Sequence, residues 1–183
     1  MRGKRVYPNI EDVRIVITDF DGVLTDNIVI TNEDGKEAVR CNRSDGLAMD
    51  ILRGYERKHK KEVVVMILST ETNQVVGTRA RKMGIRHVQG CRDKRKWIEH
   101  YKEEQKGAKD DGLLIYIGND INDLNAMKMA DIGVCPNDSH PAIHEIADIV
   151  LDSNGGEGCL REFVEGCMLV SGYDPSMLLE QLE

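Results

Sequence analysis

Two aspartates one residue apart, directly after an apolar segment, constrain this chain more than any other feature. The β-branched run 13–17 is typical of a buried strand, and it precedes Thr18-Asp19-Phe20-Asp21-Gly22-Val23-Leu24-Thr25-Asp26. In an open α/β sheet, ligands bind at the carboxyl ends of the strands. Two carboxylates that converge there repel each other unless a positive charge lies between them. We therefore expect a hard divalent cation, Mg²⁺, although an Asp-x-Asp in a surface turn is the alternative.

The composition is that of an ordinary globular protein and argues against several classes of function. A chain of 183 residues is long enough for one domain, 1–183, with a substantial core. Its net charge of −7 argues against a nucleic-acid surface, which is normally basic. The longest apolar run, 63–68, is too short to span a membrane, and the basic N-terminus lacks the apolar segment of a secretory signal. The five cysteines form no Cys-x-x-Cys pair, so we expect reduced thiols and a cytoplasmic protein.

Strand-like and helix-like segments alternate along the chain. This alternation predicts an α/β fold with a mostly parallel sheet and helices on both of its faces. Besides 13–17, the predicted strands of the sheet are 63–68, 85–88, 113–117, 132–134 and 149–151. The predicted helices are 44–60, 73–83, 94–105, 123–129, 140–147, 158–169 and a last one from 176, with a polar loop at 106–112.

A hairpin is predicted directly after the acidic pair. Its two β-prone runs, 27–31 and 36–41, flank Asn32-Glu33-Asp34-Gly35, whose Asp-Gly pair favours a tight turn. Only this hairpin and one helix fit between Asp21 and Ser69, so the chain has no room there for a cap domain. An open site at the strand ends needs a cover that excludes water. We expect a second copy of the chain to supply it, with the hairpin arm, about 27–41, as the cover and a homotetramer as the assembly.

Three further polar groups are predicted at strand ends or helix starts. Ser69-Thr70-Glu71 follows the second strand of the sheet, Lys94 begins a helix, and Gly118-Asn119-Asp120-Ile121-Asn122-Asp123 follows the strand 113–117. Singly, they are typical of a turn, a solvated lysine and a helix cap. Together they supply what phosphoryl transfer needs: a carboxylate nucleophile, a second acid for the leaving group, a cation, and a lysine and a hydroxyl that hold the phosphate oxygens.

These residues resemble the four motifs of the haloacid dehalogenase (HAD) superfamily, and the resemblance covers nearly the whole chain. It implies a three-layer Rossmann-like fold without a cap domain. It also implies a Mg²⁺-dependent phosphomonoesterase that works through an aspartyl-phosphate. The residues it implicates are the nucleophile Asp19, the general acid/base Asp21, the phosphate-binding residues Ser69 and Lys94, and a metal-side acidic loop with Asn119, Asp120 and Asp123.

Asn119 departs from the family pattern. At this position, family members usually have a carboxylate that is the third ligand of the metal, in addition to the two that correspond to Asp19 and Asp21. An amide oxygen can ligate Mg²⁺, but it removes one negative charge from the site. Either Asn119 ligates the metal, or Asp120 has replaced it, or the metal affinity is weak.

Finer features resemble the capless, tetrameric subgroup of this superfamily. They are the segment 40–46, the turn 89–94 and Gly155-Gly156-Glu157-Gly158. The subgroup contains the phosphatases of 3-deoxy-manno-octulosonate (KDO) 8-phosphate and of nonulosonate 9-phosphates, KDN and the sialic acids. It also contains HAD domains attached to acylneuraminate cytidylyltransferases, so a non-catalytic oligomerisation domain is the alternative from another class.

Within the subgroup, the segment 68–73 most resembles the nonulosonate-linked sequences. KDO 8-phosphate enzymes usually have Thr-Gly-Arg where Ser69-Thr70-Glu71 stands. They usually have Gly-Gly-Arg-Gly where this chain has Gly155-Gly156-Glu157-Gly158, so Glu71 and Glu157 both replace an arginine. An arginine suits the carboxylate of a sugar acid, whereas a glutamate suits hydroxyls or an amino group. We therefore expect KDN or N-acylneuraminate 9-phosphate as substrate, with KDO 8-phosphate as the alternative. The expected substrate contacts are Ser69, Thr70, Glu71, Lys82 and Arg40.

Overall fold

The computed structural model of this protein describes residues 6–105 and 112–182, so all but the last residue of the predicted loop 106–112 lies outside the described residues. The described strands are β1 (Val13–Thr18), β2 (Thr25–Thr31), β3 (Glu37–Cys41), β4 (Val64–Leu68), β5 (Arg86–Val88), β6 (Leu113–Ile117), β7 (Ile132–Cys135) and β8 (Ile149–Val150). The described helices are α1 (Ser44–His59), α2 (Val75–Met83), α3 (Lys94–Glu104), α4 (Leu124–Met129), α5 (Pro141–His144), α6 (Cys159–Val170) and α7 (Pro175–Glu180). None of these helices is long and apolar enough to cross a membrane.

Six strands form a parallel sheet in the order β5-β4-β1-β6-β7-β8. The chain builds β1, β4 and β5 outward in one direction and then returns to place β6 on the other side of β1. The strand order therefore reverses between β1 and β6, and at such a switch point the carboxyl ends of the strands border a crevice. We therefore expect a binding site at the carboxyl ends of β1 and β6.

Helices cover both faces of the sheet, as the sequence predicted. On one face, buried residues of α1, α2 and α6 pack with Val13 and Val16 of β1. On the other face, residues of α3, α4 and α5 pack with Ile15 and Ile17. Because β1 is buried on both faces, its consecutive residues Ile15, Val16 and Ile17 are all apolar and do not alternate with polar ones. The predicted three-layer α/β fold is confirmed.

The predicted hairpin is present as a separate antiparallel pair, β2 and β3. The first of its strands begins at Thr25, two residues before the predicted start. Three consecutive apolar residues of β2, Ile28, Val29 and Ile30, are 58%, 52% and 64% exposed. Of the Asp-Gly pair in the turn, only Gly35 has a positive φ, +74°. The hairpin projects from the sheet, and between β1 and β4 the chain adds only this hairpin and α1.

Two helices begin later than the sequence predicted, at points where a preceding side chain accepts a backbone N–H, and α5 also ends at His144, three residues before its predicted end. The Asn73 side chain accepts the backbone N–H of Val75, so α2 begins at Val75 and not at residue 73. His140 Nδ1 accepts the N–H of Ala142, which makes His140 the cap of α5 and not its first residue. Capping of this kind satisfies N–H groups that have no partner within the helix.

A buried carboxylate joins the first turn of α1 to the start of α6. Asp45 is fully buried, and its Oδ1 accepts the N–H groups of Leu160 (3.1 Å) and Arg161 (3.2 Å). Its Oδ2 has no hydrogen-bond partner among the described residues. Burial raises the pKa of Asp45 to about 6, although the two N–H bonds and Arg79 act in the opposite direction. The neutral form of this carboxyl therefore suits the fold better than the charged form.

Asp45→Asn tests this assignment through the pH dependence of stability. Because the folded state holds the Asp45 proton up to about pH 6, the stability that this proton gives is present below about pH 4 and is lost as the pH rises through 6. The neutral asparagine keeps an acceptor oxygen and has no such loss. We expect the free energy of unfolding of Asp45→Asn, relative to wild type, to increase by about 3 kcal/mol between pH 4 and pH 8 in urea denaturation.

The matched control is Asp50→Asn, on the same helix at an exposed position. Its difference from wild type should stay nearly constant with pH. A difference for Asp45→Asn that is equally flat would contradict the assignment.

Candidate active site

Asp19 and Asp21 both lie at the carboxyl end of β1. Asp19 continues the sheet, because its N–H donates to the carbonyl of Ile117 (2.9 Å). Its side chain is buried, and its Oδ1 accepts the N–H of Phe20 (2.7 Å). Asp21 lies in the turn that follows, half-buried, where its Oδ1 accepts the hydroxyl of Thr25 (3.3 Å). Because β1 ends at Thr18, the direction of the Asp21 side chain is set by this turn and not by the alternation of side chains along a strand.

A buried lysine joins two carboxylates that come from different strand ends. The ammonium of Lys94 lies 2.8 Å from Asp19 Oδ2 and 2.7 Å from Asp123 Oδ1. The side chains of Lys94 and Asp123 are 2% and 0% exposed. Asp93 caps α3 by accepting the N–H of Lys96 (3.0 Å), and this cap fixes Lys94 as the first helical residue. The described structure thus brings Asp19, Lys94 and Asp123 into direct contact.

The buried charges shift one another's proton affinity. The pKa of Asp19 is raised to about 7, chiefly by burial and also by the charge of Asp123, while Lys94 acts in the opposite direction. Burial also raises the pKa of Asp21, with the Thr25 hydrogen bond acting against this shift. The pKa of Lys94 is raised, because its two carboxylate partners outweigh the effect of burial. Lys94 stays protonated, and the raised pKa of Asp21 suits a group that donates a proton.

Asp123 organises the loop after β6. Its Oδ2 accepts the N–H groups of Asn119 (3.0 Å) and Asp120 (3.4 Å). Its Oδ1 accepts the hydroxyl of Tyr116 (2.6 Å) in addition to Lys94. Tyr116 is fully buried, and this burial, together with the charge of Asp123, raises its pKa well above the ordinary value. The sequence analysis did not single out Tyr116; the available signal was a hydroxyl-bearing side chain in an otherwise apolar strand.

Asn119 has a side-chain oxygen available to a metal ion, whereas Asp120 caps a turn. The Oδ1 of Asn119 is buried and has no hydrogen-bond partner among the described residues. A Cβ at Gly22 would lie 2.0 Å from Asn119 Nδ2, so this glycine, with φ +80°, lets the amide lie against the turn that carries Asp21. Asp120 Oδ1 instead accepts the N–H of Ile121 (2.7 Å) at the start of a 3₁₀ turn.

The donors at this site fit a hard cation. No group of three His, Cys, Asp or Glu side chains that could hold a metal is found in residues 6–105 and 112–182. The available set is therefore two carboxylates, Asp19 and Asp21, and the carboxamide oxygen of Asn119. Three oxygen donors, completed by water and by substrate oxygens, are the ligands that Mg²⁺ prefers in proteins.

The residues after β4 form a tight turn of their own. Ser69 is buried, and its Oγ accepts the N–H of Glu71 (3.0 Å), while Thr70 is exposed. Glu71 Oε1 accepts the N–H groups of Thr72 (2.6 Å) and Asn73 (2.7 Å). One oxygen of Glu71 thus stabilises its own turn, a role that the sequence analysis did not predict. The charge of Glu71 still contributes to the raised pKa of Asp21.

Lys82 and Arg40 make no described contact with the buried carboxylates. Arg40, on β3, pairs with Asp26 at 2.6 Å, and its side chain is 78% exposed. Lys82 is exposed on α2, where it borders a cavity of about 610 Å³ between α1 and α2. That cavity is also bordered by Arg43, Arg53 and Arg79. The structure does not join either residue to Asp19 or Asp21 by a hydrogen bond or an ion pair among the described residues.

Lys94→Met tests the energetic role of the buried lysine. The substitution leaves Asp19 and Asp123 buried without their counter-charge, which typically costs about 3–5 kcal/mol. We expect a loss of this size in the free energy of unfolding at pH 8. The loss should be smaller at pH 5, because Asp19, whose pKa is raised by burial, takes up a proton there.

Lys96→Met is the control, because Lys96 lies on the same helix and its side chain is 80% exposed. Its ion pair with Asp93 is long, at 3.6 Å, and is also exposed. It should change stability by less than about 1 kcal/mol. Equal losses for the two variants would contradict the role assigned to Lys94.

Known proteins resemble this chain over most of its length. The model of the haloacid dehalogenase-like hydrolases matches residues 42–163. The 3-deoxy-D-manno-octulosonate 8-phosphate phosphatase KdsC of Escherichia coli K12 is 28% identical over 168 residues, which are 91% of this chain and 85% of KdsC. The crystal structure of a HAD family hydrolase from Streptomyces avermitilis is 34% identical, with a TM-score of 0.78, and the match covers 94% of this chain and 98% of that one.

A further solved structure is the KDO 8-phosphate phosphatase of Moraxella catarrhalis in complex with magnesium, phosphate and KDO. It is 25% identical, with a TM-score of 0.76, and the match covers 88% of each chain. These comparisons support a phosphomonoesterase, as the sequence predicted. Because the family model covers most of the chain and the Streptomyces structure covers nearly all of it, this chain belongs to the haloacid dehalogenase-like hydrolases.

Proposed function

We propose that this protein is a Mg²⁺-dependent phosphatase of a 3-deoxy-2-ulosonic acid phosphate. The observation that carries the proposal is the buried contact of Lys94 with Asp19 and Asp123 at the switch point of the sheet. Burial of three charged side chains is costly, so their presence here indicates a functional site. A carboxylate and a lysine are also among the groups that phosphoryl transfer needs. The similarity to KdsC and to the Moraxella phosphatase supports the choice of substrate class.

In this proposal, Asp19 is the nucleophile. Its carboxylate attacks phosphorus and forms an aspartyl-phosphate, and the sugar leaves as an alkoxide. Asp21, whose pKa is raised by burial, protonates that alkoxide and then takes a proton from the water that hydrolyses the intermediate. Lys94 and the hydroxyl of Ser69 hold the oxygens that stay on phosphorus while the phosphoryl group passes from the sugar to Asp19 and then to water. Asp123 supports Lys94 and the loop that carries Asn119.

Asp19, Asp21 and Asn119 are the residues proposed to hold Mg²⁺. When bound, the ion would offset the repulsion between the substrate phosphate and the two carboxylates. We favour Asn119 over Asp120 as the third ligand, since within residues 6–105 and 112–182 the side-chain oxygen of Asn119 has no hydrogen-bond partner, whereas the carboxylate of Asp120 caps a turn. Asn119 contributes an oxygen without a charge, so fewer protein charges face the cation than a third carboxylate would provide.

The favoured substrate is a nine-carbon ulosonate 9-phosphate, KDN or an N-acylneuraminate. The support is the acidic residue at Glu71 and at Glu157, where KDO 8-phosphate enzymes usually carry arginine. Glu71 Oε2 makes no hydrogen bond among the described residues, so it can accept one from a sugar hydroxyl or amino group. Thr70, Lys82 and Arg40 stay proposed substrate contacts. KDO 8-phosphate is the second candidate, because the relatives from Escherichia coli and Moraxella are phosphatases of that compound.

We further propose a cytoplasmic homotetramer of one-domain chains, 1–183, in which the hairpin of one copy covers the site of its neighbour. The support is the run of exposed apolar residues Ile28, Val29 and Ile30, because an apolar surface of this kind marks an interaction site. None of the five cysteines forms a disulfide in the described structure, which suits a reducing compartment.

Phosphate release tests the proposed function. The purified chain is assayed with an aryl phosphate, KDN 9-phosphate and KDO 8-phosphate, with and without Mg²⁺. We expect release that requires Mg²⁺, with the highest kcat/KM for KDN 9-phosphate. Asp19→Asn should lower the rate at least about a thousandfold without loss of circular dichroism, because the amide is a poor nucleophile.

Asp12→Asn is the control, since Asp12 is exposed at the opposite end of β1. Undiminished activity of Asp19→Asn would refute the nucleophile. A wild-type chain that releases no phosphate from any of the three compounds would favour the other class of function, a non-catalytic partner of a cytidylyltransferase.

Light scattering tests the assembly. The wild-type chain at micromolar concentration should have four times the 20.6 kDa mass of one chain. Ile28→Lys with Ile30→Lys places two charges on one face of β2 and should produce smaller species. Leu179→Lys, at an apolar position of α7 that is 61% exposed, should leave the mass unchanged. A monomeric wild-type protein would end this part of the proposal.

A further inference from the structure

A buried tyrosine beneath the candidate site has a hydroxyl that core packing does not explain. Tyr116 lies on β6, opposite Ile17 of β1 and Gly133 of β7. Its side chain is fully buried in the apolar cluster under α3 and α4, beside residues such as Ile98 and Met127. A phenylalanine would fill that space equally well. The hydroxyl therefore needs a reason of its own, because a buried polar group is costly unless it is hydrogen-bonded.

The hydroxyl meets the same oxygen that holds the active-site lysine. Tyr116 donates to Asp123 Oδ1 at 2.6 Å, and the ammonium of Lys94 lies 2.7 Å from that oxygen. The same ammonium lies 2.8 Å from Asp19 Oδ2. Lys94 is thus shared between two carboxylates, and the oxygen on the Asp123 side is shared between two donors. Two donors on one oxygen divide its lone pairs and charge, so its hold on Lys94 is weaker than it would be alone.

The second oxygen of Asp123 is fixed independently. Its Oδ2 accepts the N–H groups of Asn119 and Asp120, so the carboxylate cannot rotate to offer Lys94 a different oxygen. Tyr116 is therefore the group that decides how strongly Asp123 attracts the lysine. Burial and the charge of Asp123 raise the pKa of Tyr116, so the hydroxyl stays a donor throughout the range in which enzymes work.

We propose that Tyr116 is a positioning residue for the phosphatase reaction. Its hydroxyl donates a hydrogen bond to Asp123 Oδ1, which weakens the attraction of that oxygen for Lys94 and so keeps Lys94 available to Asp19 and to the phosphate. This inference rests on the proposed function. Without the hydroxyl, Asp123 binds the ammonium of Lys94 more strongly, and less of that charge is available to the phosphate oxygens in the transition state. Tyr116 contacts no substrate, so the effect falls on the rate and not on the binding of the sugar.

The test is Tyr116→Phe, which keeps the ring and removes only the hydroxyl. With an aryl phosphate and saturating Mg²⁺, well below the melting temperature, we expect kcat to fall about tenfold, as for one hydrogen bond to a charged group, and KM to change less than about twofold. Inhibition by tetrafluoroaluminate, which imitates the transferring phosphoryl group, should weaken about tenfold. Inhibition by inorganic phosphate should change much less.

Tyr55→Phe is the matched control. Tyr55 is 1% exposed on α1, and its hydroxyl makes no hydrogen bond among the described residues. It should keep the wild-type kcat and the wild-type inhibition by tetrafluoroaluminate. A purely structural role for Tyr116 lowers the melting temperature but leaves kcat and both inhibition constants unchanged.

Three results would overturn the inference. An active wild-type enzyme with an unaffected Tyr116→Phe variant refutes the positioning role and leaves the proposed function standing. Equal losses of kcat in Tyr116→Phe and Tyr55→Phe also refute it, because they show a general response of the core. A wild-type chain that releases no phosphate refutes the proposed function and this inference together.

Discussion

The contact of one lysine with two carboxylates is the interaction on which the candidate site depends. Asp19 comes from the end of β1 and Asp123 from the loop after β6, and Lys94 begins α3. Two negative charges are buried side by side only if a cation lies between them, because burial in a medium of low polarity penalises each charge. The reversal of strand order between β1 and β6 creates the place where these three groups meet. Sheet topology and electrostatics thus select the same point.

Backbone contacts with the loop before α6 support the turn that carries Asp21. Gly156 donates its N–H to the carbonyl of Val23 at 2.9 Å, so the loop before α6 lies against the turn that carries Asp21. A Cβ at Gly155 would lie only 2.3 Å from the carbonyl oxygen of Gly22, and no larger residue fits without movement. Asp45 fixes the start of α6 behind that loop. The turn with Asp21 is therefore supported by a segment more than 130 residues away in the sequence.

The sequence was sufficient for the parts of the structure that follow from local patterns. The apolar run before Asp19 predicted the central strand, and the polar residues at the strand ends predicted the place of Lys94 and Asp123. The family resemblance predicted the three-layer fold and the absence of an inserted cap between β1 and β4. Each of these depends on residues that are close in sequence or on a topology that few connections permit.

The sequence was not sufficient where one side chain chooses among distant partners. Nothing local indicates that Tyr116 donates to Asp123, or that Asp45 accepts N–H groups 115 residues away. The choice between Asn119 and Asp120 depends on which of them caps the next turn, and Glu71 was not expected to bind its own backbone. Lys82 and Arg40 lie on a helix and a strand whose orientation towards the site depends on tertiary packing.

The most direct test of the central claim is a crystal structure of the protein soaked with Mn²⁺, which takes the place of Mg²⁺ and has a strong anomalous signal, and with tetrafluoroaluminate. The proposed chemistry predicts one anomalous peak bound by oxygens of Asp19, Asp21 and Asn119. It also predicts aluminium next to a carboxylate oxygen of Asp19, with Lys94 in contact with a fluoride. A metal peak at Asp120 would contradict the ligand set. No bound metal and no fluoride complex at the end of β1 would contradict the claim that this lysine and its carboxylates form a catalytic site.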